Sequence, residues 1–192
     1  MVTLSTAGAA ARARKTRLVV TDCDGVLTDA GVYYSADGEV MKRFSIRDGM
    51  GVERLRDAGI ETAIMTGERS GSVVARAKKL SITKVWLGVK QKGPALELAL
   101  RDAGVGADEV AYIGDDVNDL DALALASARG LSGAPRDALA SVRAAVHHVA
   151  AADGGHGAFR DFAEWILHLR GTGPSPRPRR AGPPVLRPRR RP

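Results

Sequence analysis

The run Leu18-Val19-Val20-Thr21-Asp22-Cys23-Asp24-Gly25-Val26 decides the fold. Four residues suited to a buried strand lead into two carboxylates and a glycine, the signature of a strand that stops and turns. The same rhythm recurs downstream. Strands are predicted at Leu18–Thr21, Ile60–Met65, Lys84–Leu87, Val110–Ile113, Gly130–Ser132 and Ala145–Val149. Helices are predicted at Asp48–Ala58, Ser70–Leu80, Pro94–Asp102 and Asp119–Ala126. Gly59 and Gly104 follow two of these helices, where a left-handed C-cap costs least. Pro94 suits a first helical turn. This alternation predicts an α/β fold, a parallel sheet with helices on both faces. One segment departs from it. Two strand-like runs at about residues 32–35 and 40–44 flank Asp37-Gly38, predicting a β-hairpin over about 32–44 at the carboxyl edge of the sheet, where ligands bind. An isolated hairpin is marginal, so this one needs a surface to cover it, and a neighbouring subunit is one candidate.

Charge is distributed unevenly. The net charge of +7 comes from the ends: residues 171–192 carry seven arginines and no acid, and Arg12, Arg14, Lys15 and Arg17 precede the first strand. Between residues 18 and 170 the net charge is −4. The sequence therefore divides into a flexible basic segment at 1–17, a mildly acidic globular domain at 18–170 and an Arg/Pro-rich tail at 171–192, expected to be disordered. The tail reads as a solvated extension; nucleic-acid contact by it is the less favoured reading, because no aromatic residues are interleaved. No apolar run approaches a membrane span. The N-terminal arginines follow the mildly apolar stretch rather than precede it, the wrong order for a signal peptide. A single cysteine excludes an internal disulfide framework and points to a reducing cytoplasm.

Four strand ends carry the chemistry. Asp22 and Asp24, spaced by two, direct their side chains to the same side of an extended chain, and clustered anions there need a cation or a proton to offset them. Mg²⁺ with oxygen ligands is the natural partner, although Asp-x-Asp-Gly alone also fits an ordinary loop or a calcium loop. The run Ile113-Gly114-Asp115-Asp116-Val117-Asn118-Asp119 is a second acidic turn after a strand. A capped helix start accounts for Asp119 but not for the whole cluster; Asp115 is placed to complete the metal site. Met65-Thr66-Gly67 ends a third strand with a hydroxyl and free amides that suit either a phosphate or a helix N-cap. Lys92 follows the fourth. A lone lysine usually belongs to the surface, but phosphoryl transfer beside carboxylates requires a fixed positive charge.

In this order and spacing, the motifs resemble the haloacid dehalogenase superfamily over roughly residues 18 to 170. The resemblance implies a Rossmann-like phosphatase domain in which Asp22 is the covalent nucleophile and Asp24 the general acid and base. It implies metal ligation by the Asp22 carboxylate, the Asp24 carbonyl and the Asp115 carboxylate, backed by Asp116, Asn118 and Asp119. Thr66 and Lys92 map to the phosphate-holding positions. Asp22–Asp29, Arg47–Gly51 and Gly154–Arg160 narrow the likeness to the small capless branch, which contains tetrameric phosphatases of 3-deoxy-octulosonate 8-phosphate and of nonulosonate (sialic-acid-type) 9-phosphates. No room exists between the first two strands for a cap domain. The likeness implies substrate contacts at Arg47, Asp48, Gly49, Gly67, Glu68 and Lys79, with Arg47 meeting the sugar-acid end, and a homotetramer. Thr66-Gly67-Glu68 together with Lys79 favours a nonulosonate 9-phosphate, with octulosonate 8-phosphate as the alternative and a broad-specificity phosphatase behind both. Cys23 is expected to be a small buried residue, and His156 is not expected to act as a base, since Asp24 fills that role.

Overall fold

The computed structural model describes residues 3–171. Its centre is a six-stranded parallel sheet built from β1 (Leu18–Thr21), β4 (Glu61–Met65), β5 (Lys84–Trp86), β6 (Val110–Ile113), β7 (Leu131–Ala134) and β8 (His148–Val149), in the order β5-β4-β1-β6-β7-β8. Side chains alternate across β1. Val19 joins a core with Leu55, Ile64, Phe159 and Phe162, whereas Leu18 and Val20 join the opposite core with Met65, Leu96, Tyr112 and Leu123. Both faces are therefore covered by helices, as the sequence predicts. Chain order reverses at β1: β4 and β5 extend the sheet one way, and β6 to β8 extend it the other. The crevice at such a switch point, outside the carboxyl ends of β1 and β6, is where ligands settle in open α/β sheets.

Between β1 and β4 lie only the hairpin, β2 (Thr28–Ser35) with β3 (Gly38–Phe44), and helix α2 (Ile46–Asp57), so the domain carries no cap. The hairpin begins four residues earlier than the predicted 32, and Gly38 supplies the positive φ (113°) of its turn. Helices α3 (Gly71–Lys79), α4 (Lys92–Ala103) and α5 (Leu120–Arg129) match the expected positions within a few residues, and a short 3₁₀ turn at Val117–Asp119 precedes α5.

Three segments differ from expectation. Of the strand predicted at Ala145–Val149 only His148–Val149 form β8, and the residues just before it, Ala140–Ala144, form the short helix α6. Helix α7 (Ala158–Leu169) is not among the predicted helices, although Phe159, Phe162, Ala163, Ile166 and Leu167 form a continuous buried stripe against α2. The N-terminal segment expected to be flexible instead forms helix α1 (Thr6–Lys15), with Ala9 and Ala13 buried near α7. Arg12 anchors it by donating to the carbonyls of Ser127 (2.7 Å) and Gly130 (2.8 Å) at the end of α5. The expected disorder of the tail lies outside the described residues. Among those residues no helix is long and apolar enough to cross a membrane.

Candidate active site

The switch-point crevice gathers the carboxylates. Asp22 leaves the end of β1 almost fully buried, its amide donating to the Ile113 carbonyl of β6 at 2.9 Å. Asp115 leaves β6 after Gly114. One carboxylate oxygen each from Asp22, Asp115 and Asp119 lies within 4.8 Å of the others. Two glycines permit this crowding. A Cβ at Gly25, where φ is +88°, would lie 2.0 Å from Asp115 Oδ2, and one at Gly114 would lie 2.4 Å from Asp119 Cγ.

Lys92 answers the negative charge. It opens α4 rather than sitting in a loop, its side chain has no exposed surface, and its Nζ reaches Asp22 Oδ1 at 2.8 Å and Asp119 Oδ1 at 2.7 Å. Burial alone would push its ammonium down, but Asp22 and Asp119 outweigh burial and keep it charged. Asp119 is saturated. Its Oδ1 also accepts from the Tyr112 hydroxyl at 2.7 Å, and its Oδ2 accepts from the amides of Asp115 and Asp116 at 3.1 and 3.3 Å. It therefore shapes the acidic turn and holds Lys92, leaving little capacity to bind a metal directly.

Asp22 and Asp115 have capacity to spare. Asp115 Oδ1 is buried without a hydrogen-bond partner. Burial, then the neighbouring Asp119, raises Asp22 to about 7 despite Lys92, and burial, then Asp22 and Asp119, raises Asp115 to about 8. A buried and a half-buried carboxylate that resist ionisation together, the second with an orphan buried oxygen, suit a small divalent cation with oxygen preference. The expected Asp22, Asp24 and Asp115 ligand set is compatible with that geometry.

Asp24 stands at the mouth of the crevice. Its Oδ2 accepts from the Thr66 hydroxyl at 3.2 Å, and Thr66, placed by the end of β4, also accepts from the Glu68 amide at 3.2 Å. Its Oδ1 pairs with Lys42 of β3. A cleft of about 260 Å³ opens over this centre, bounded by Asp22, Asp24, Thr66, Gly67, Glu68, Lys90, Asp115, Asp116 and Asn118. Glu68 is on its rim, 3.5 Å from Lys90.

Four expected substrate residues do not join this cleft. Arg47 lies in a separate groove with His156, Arg160 and Trp165. Asp48 is buried below it, accepting from the Arg160 amide at 3.0 Å and anchoring the start of α7. Gly49 provides close approach of α2 to α3, since a Cβ there would lie 2.8 Å from an Arg76 guanidinium nitrogen. Lys79 sits exposed on the last turn of α3, about a helix length from the carboxyl edge of the sheet. His156 is outside the acidic cleft, and Cys23 is fully buried with its thiol pushed up by burial and then by Asp24 and Asp22, an inert environment. Sequence reasoning missed Lys42, Lys90 and Tyr112. Tyr112 had a visible signal, a hydroxyl inside an otherwise apolar strand just before the acidic turn.

Residues 42–127 match the profile of the haloacid dehalogenase-like hydrolases. The 3-deoxy-D-manno-octulosonate 8-phosphate phosphatase of Haemophilus influenzae is 43% identical over 155 residues, covering 81% of this chain and 84% of its own. The chain belongs to the haloacid dehalogenase-like hydrolases. It is a phosphatase of that family, and solved relatives share its fold. The cobalt-bound H. influenzae enzyme superposes with a TM-score of 0.79 at 41% identity, covering 83% of this chain and 92% of that one. The Moraxella catarrhalis octulosonate 8-phosphate phosphatase, in complex with magnesium, phosphate and KDO, gives a TM-score of 0.79 at 34% identity, covering 85% and 92%. Within this hydrolase family the five residues quoted first from sequence, Asp22, Asp24, Thr66, Lys92 and Asp115, all converge on one centre.

Proposed function

We propose that this phosphatase hydrolyses 3-deoxy-D-manno-octulosonate 8-phosphate in a Mg²⁺-dependent, two-step reaction. The observation that carries the reaction class is the meeting of Asp22, Asp24 and Asp115 in one cleft, with the buried Lys92 ammonium bonded to Asp22. The names of its relatives support the substrate. This replaces the nonulosonate preference drawn from Glu68 and Lys79. Glu68 does reach the rim, but Lys79 points from the far end of α3, so the pair does not act together within one chain.

Asp22 and Asp115, with the Asp24 carbonyl, would hold Mg²⁺, which supplies positive charge to the phosphate oxygens when bound. Lys92 adds a fixed ammonium and, through Asp22 Oδ1, aims the nucleophile. Asp22 forms an O–P bond as the bond to the sugar oxygen breaks, and Asp24 gives that leaving oxygen a proton. In the second half Asp24 takes a proton from water as the water oxygen bonds to phosphorus and the Asp22–phosphate bond breaks. Asp22 is then free for another turnover. Thr66 gives its hydroxyl proton to Asp24 and so holds that carboxyl at the phosphate side of the cleft.

A homotetramer is part of the same proposal. Tyr33, Tyr34, Val40 and Met41 are exposed on the hairpin, and a second copy would cover them. Buried, unpaired Cys23 fits a cytoplasmic setting. The test is phosphate release from a panel of octulosonate 8-phosphate, nonulosonate 9-phosphates and simple phosphomonoesters. The highest kcat/KM is expected for octulosonate 8-phosphate. A higher value for a nonulosonate 9-phosphate, or an equal value across the panel, overturns the substrate assignment.

A further inference from the structure

Strand β3 breaks the rule that buries apolar residues and exposes charged ones. Val40 and Met41 are 53% and 54% exposed, while the one fully buried side chain of the strand belongs to Lys42, 1% exposed. Lysine is almost never buried without a partner, and inversions of the hydrophobic pattern concentrate at functional sites. Lys42 has two partners. Its ammonium bonds Asp24 Oδ1 and lies 3.7 Å from Glu39 Oε2, and Glu39 is in turn held by the hydroxyl of Ser70, the N-cap of α3. A rigid chain of contacts thus runs from the start of α3 through the hairpin to Asp24.

We propose that Lys42 is a positioning residue for the general acid, locking the Asp24 carboxyl so that Oδ2 faces the leaving oxygen. The inference rests on the acid–base reading of Asp24 given above. A carboxyl on a turn after a strand can rotate about its terminal torsion, which is broad and roughly two-fold. Two directional contacts remove that freedom here: the Lys42 ammonium on Oδ1 and the Thr66 hydroxyl on Oδ2. With Oδ1 engaged by a full positive charge, Oδ2 is the oxygen left to carry the transferable proton, and Thr66 occupies only one of its lone-pair directions. Lys42 itself transfers no proton and touches no reacting atom. The hairpin therefore does more than offer a surface to a neighbour. It delivers the group that aligns the acid within its own chain.

The role separates from a structural one by leaving-group dependence. An alkyl phosphate needs a proton on its departing oxygen, whereas p-nitrophenyl phosphate releases a stable phenolate without one. kcat/KM reports the steps up to that first P–O cleavage. For Lys42→Met, kcat/KM on octulosonate 8-phosphate, or on the best alkyl phosphate found, is expected to fall about 30-fold, less than the roughly 10²–10⁴-fold of a complete general acid, because the acid is misaligned and not removed. On p-nitrophenyl phosphate it should fall less than about threefold, because orientation of the acid no longer matters. Lys42→Arg, which keeps the charge, should recover most of the alkyl activity. Equal losses on both substrates overturn the proposal. Where Lys42→Met does not fold, Lys42→Leu carries the same comparison, since it too removes both the charge and the donor. Asp24→Asn is measured alongside. If Asp24→Asn shows the leaving-group difference and Lys42→Met does not, the positioning role alone is refuted; if Asp24→Asn loses equally on both, the acid reading itself fails and takes this inference with it.

Discussion

Replacing Lys92 by methionine removes one ammonium and little volume, so its consequences can be worked from the geometry. In the native protein that ammonium sits 2.8 Å from Asp22 and 2.7 Å from Asp119, with no exposed surface. Without it, Asp119 keeps the Tyr112 hydroxyl and two backbone amides, but Asp22 and Asp115 lose the only cation of the cluster among the described residues. Breaking one side of a buried ion pair costs about 3–5 kcal/mol. For a chain of this size each kcal/mol moves Tm by about 2–4 °C, so the metal-free variant should melt roughly 6–20 °C lower. Added Mg²⁺ should recover part of that loss, because it supplies positive charge to the same carboxylates. Catalysis should fall by about 10²–10³ in kcat, the usual effect of deleting one electrostatic contact to a developing charge. The assays are thermal melts with EDTA or with MgCl₂, and phosphate release under saturating substrate. A variant that keeps more than a tenth of native kcat and melts within about 3 °C of native without metal would refute the reasoning.

Gly25→Ala places a Cβ 2.0 Å from Asp115 Oδ2 at a φ of +88°, so Asp115 must move; Mg²⁺ affinity measured by calorimetry should fall at least tenfold, and retained affinity would contradict the crowding described. The acidic pair sets a pH dependence whose sign is opposite to the common carboxylate case. Asp22 and Asp115 have folded values raised to about 7 and about 8, above their ordinary 3.8, so the metal-free fold binds protons more tightly than the unfolded chain. Its stability is therefore greatest below about pH 4 for these groups and declines as pH rises toward 8. Against that background, melts in EDTA should show Asp115→Asn gaining on the native protein from pH 5 to 8, with the gain abolished by Mg²⁺; a constant difference would remove the coupling.

The sequence made the site legible because each chemical residue stands where an apolar strand stops. Val110–Ile113 running into Gly-Asp-Asp and Leu18–Thr21 running into Asp-Cys-Asp fix both the strands and their use, since charge that follows a buried strand must lie at the sheet edge. Residues farther from strand ends were not legible in that way. Asp48 and Gly49 looked like ligand contacts, yet their partners are Arg160 and Arg76, distant in sequence, so only the tertiary packing of α7 and α3 on α2 reveals their role. Lys79 was assigned from the family likeness, through its spacing from Glu68, and spacing along a helix does not say which end faces the cleft. Lys42 was hidden for the converse reason: among exposed valine, methionine and arginine neighbours, nothing local marks it as the buried member of its strand. Helix α1 was overlooked because its alanine-rich, arginine-rich composition resembles a basic tail until Arg12 finds the end of α5.

The central claim is that Asp22 carries the phosphoryl group. The most direct measurement is acid quenching of native enzyme during turnover, followed by mass analysis of the peptide that spans β1 and its turn. The account predicts one phosphoryl group on Asp22, present only when Mg²⁺ and substrate are supplied and absent in Asp22→Asn, which should retain the native melting profile within a few degrees but release no phosphate. Phosphate release by Asp22→Asn at a comparable rate, or a phosphoryl group trapped on any other residue, would contradict it.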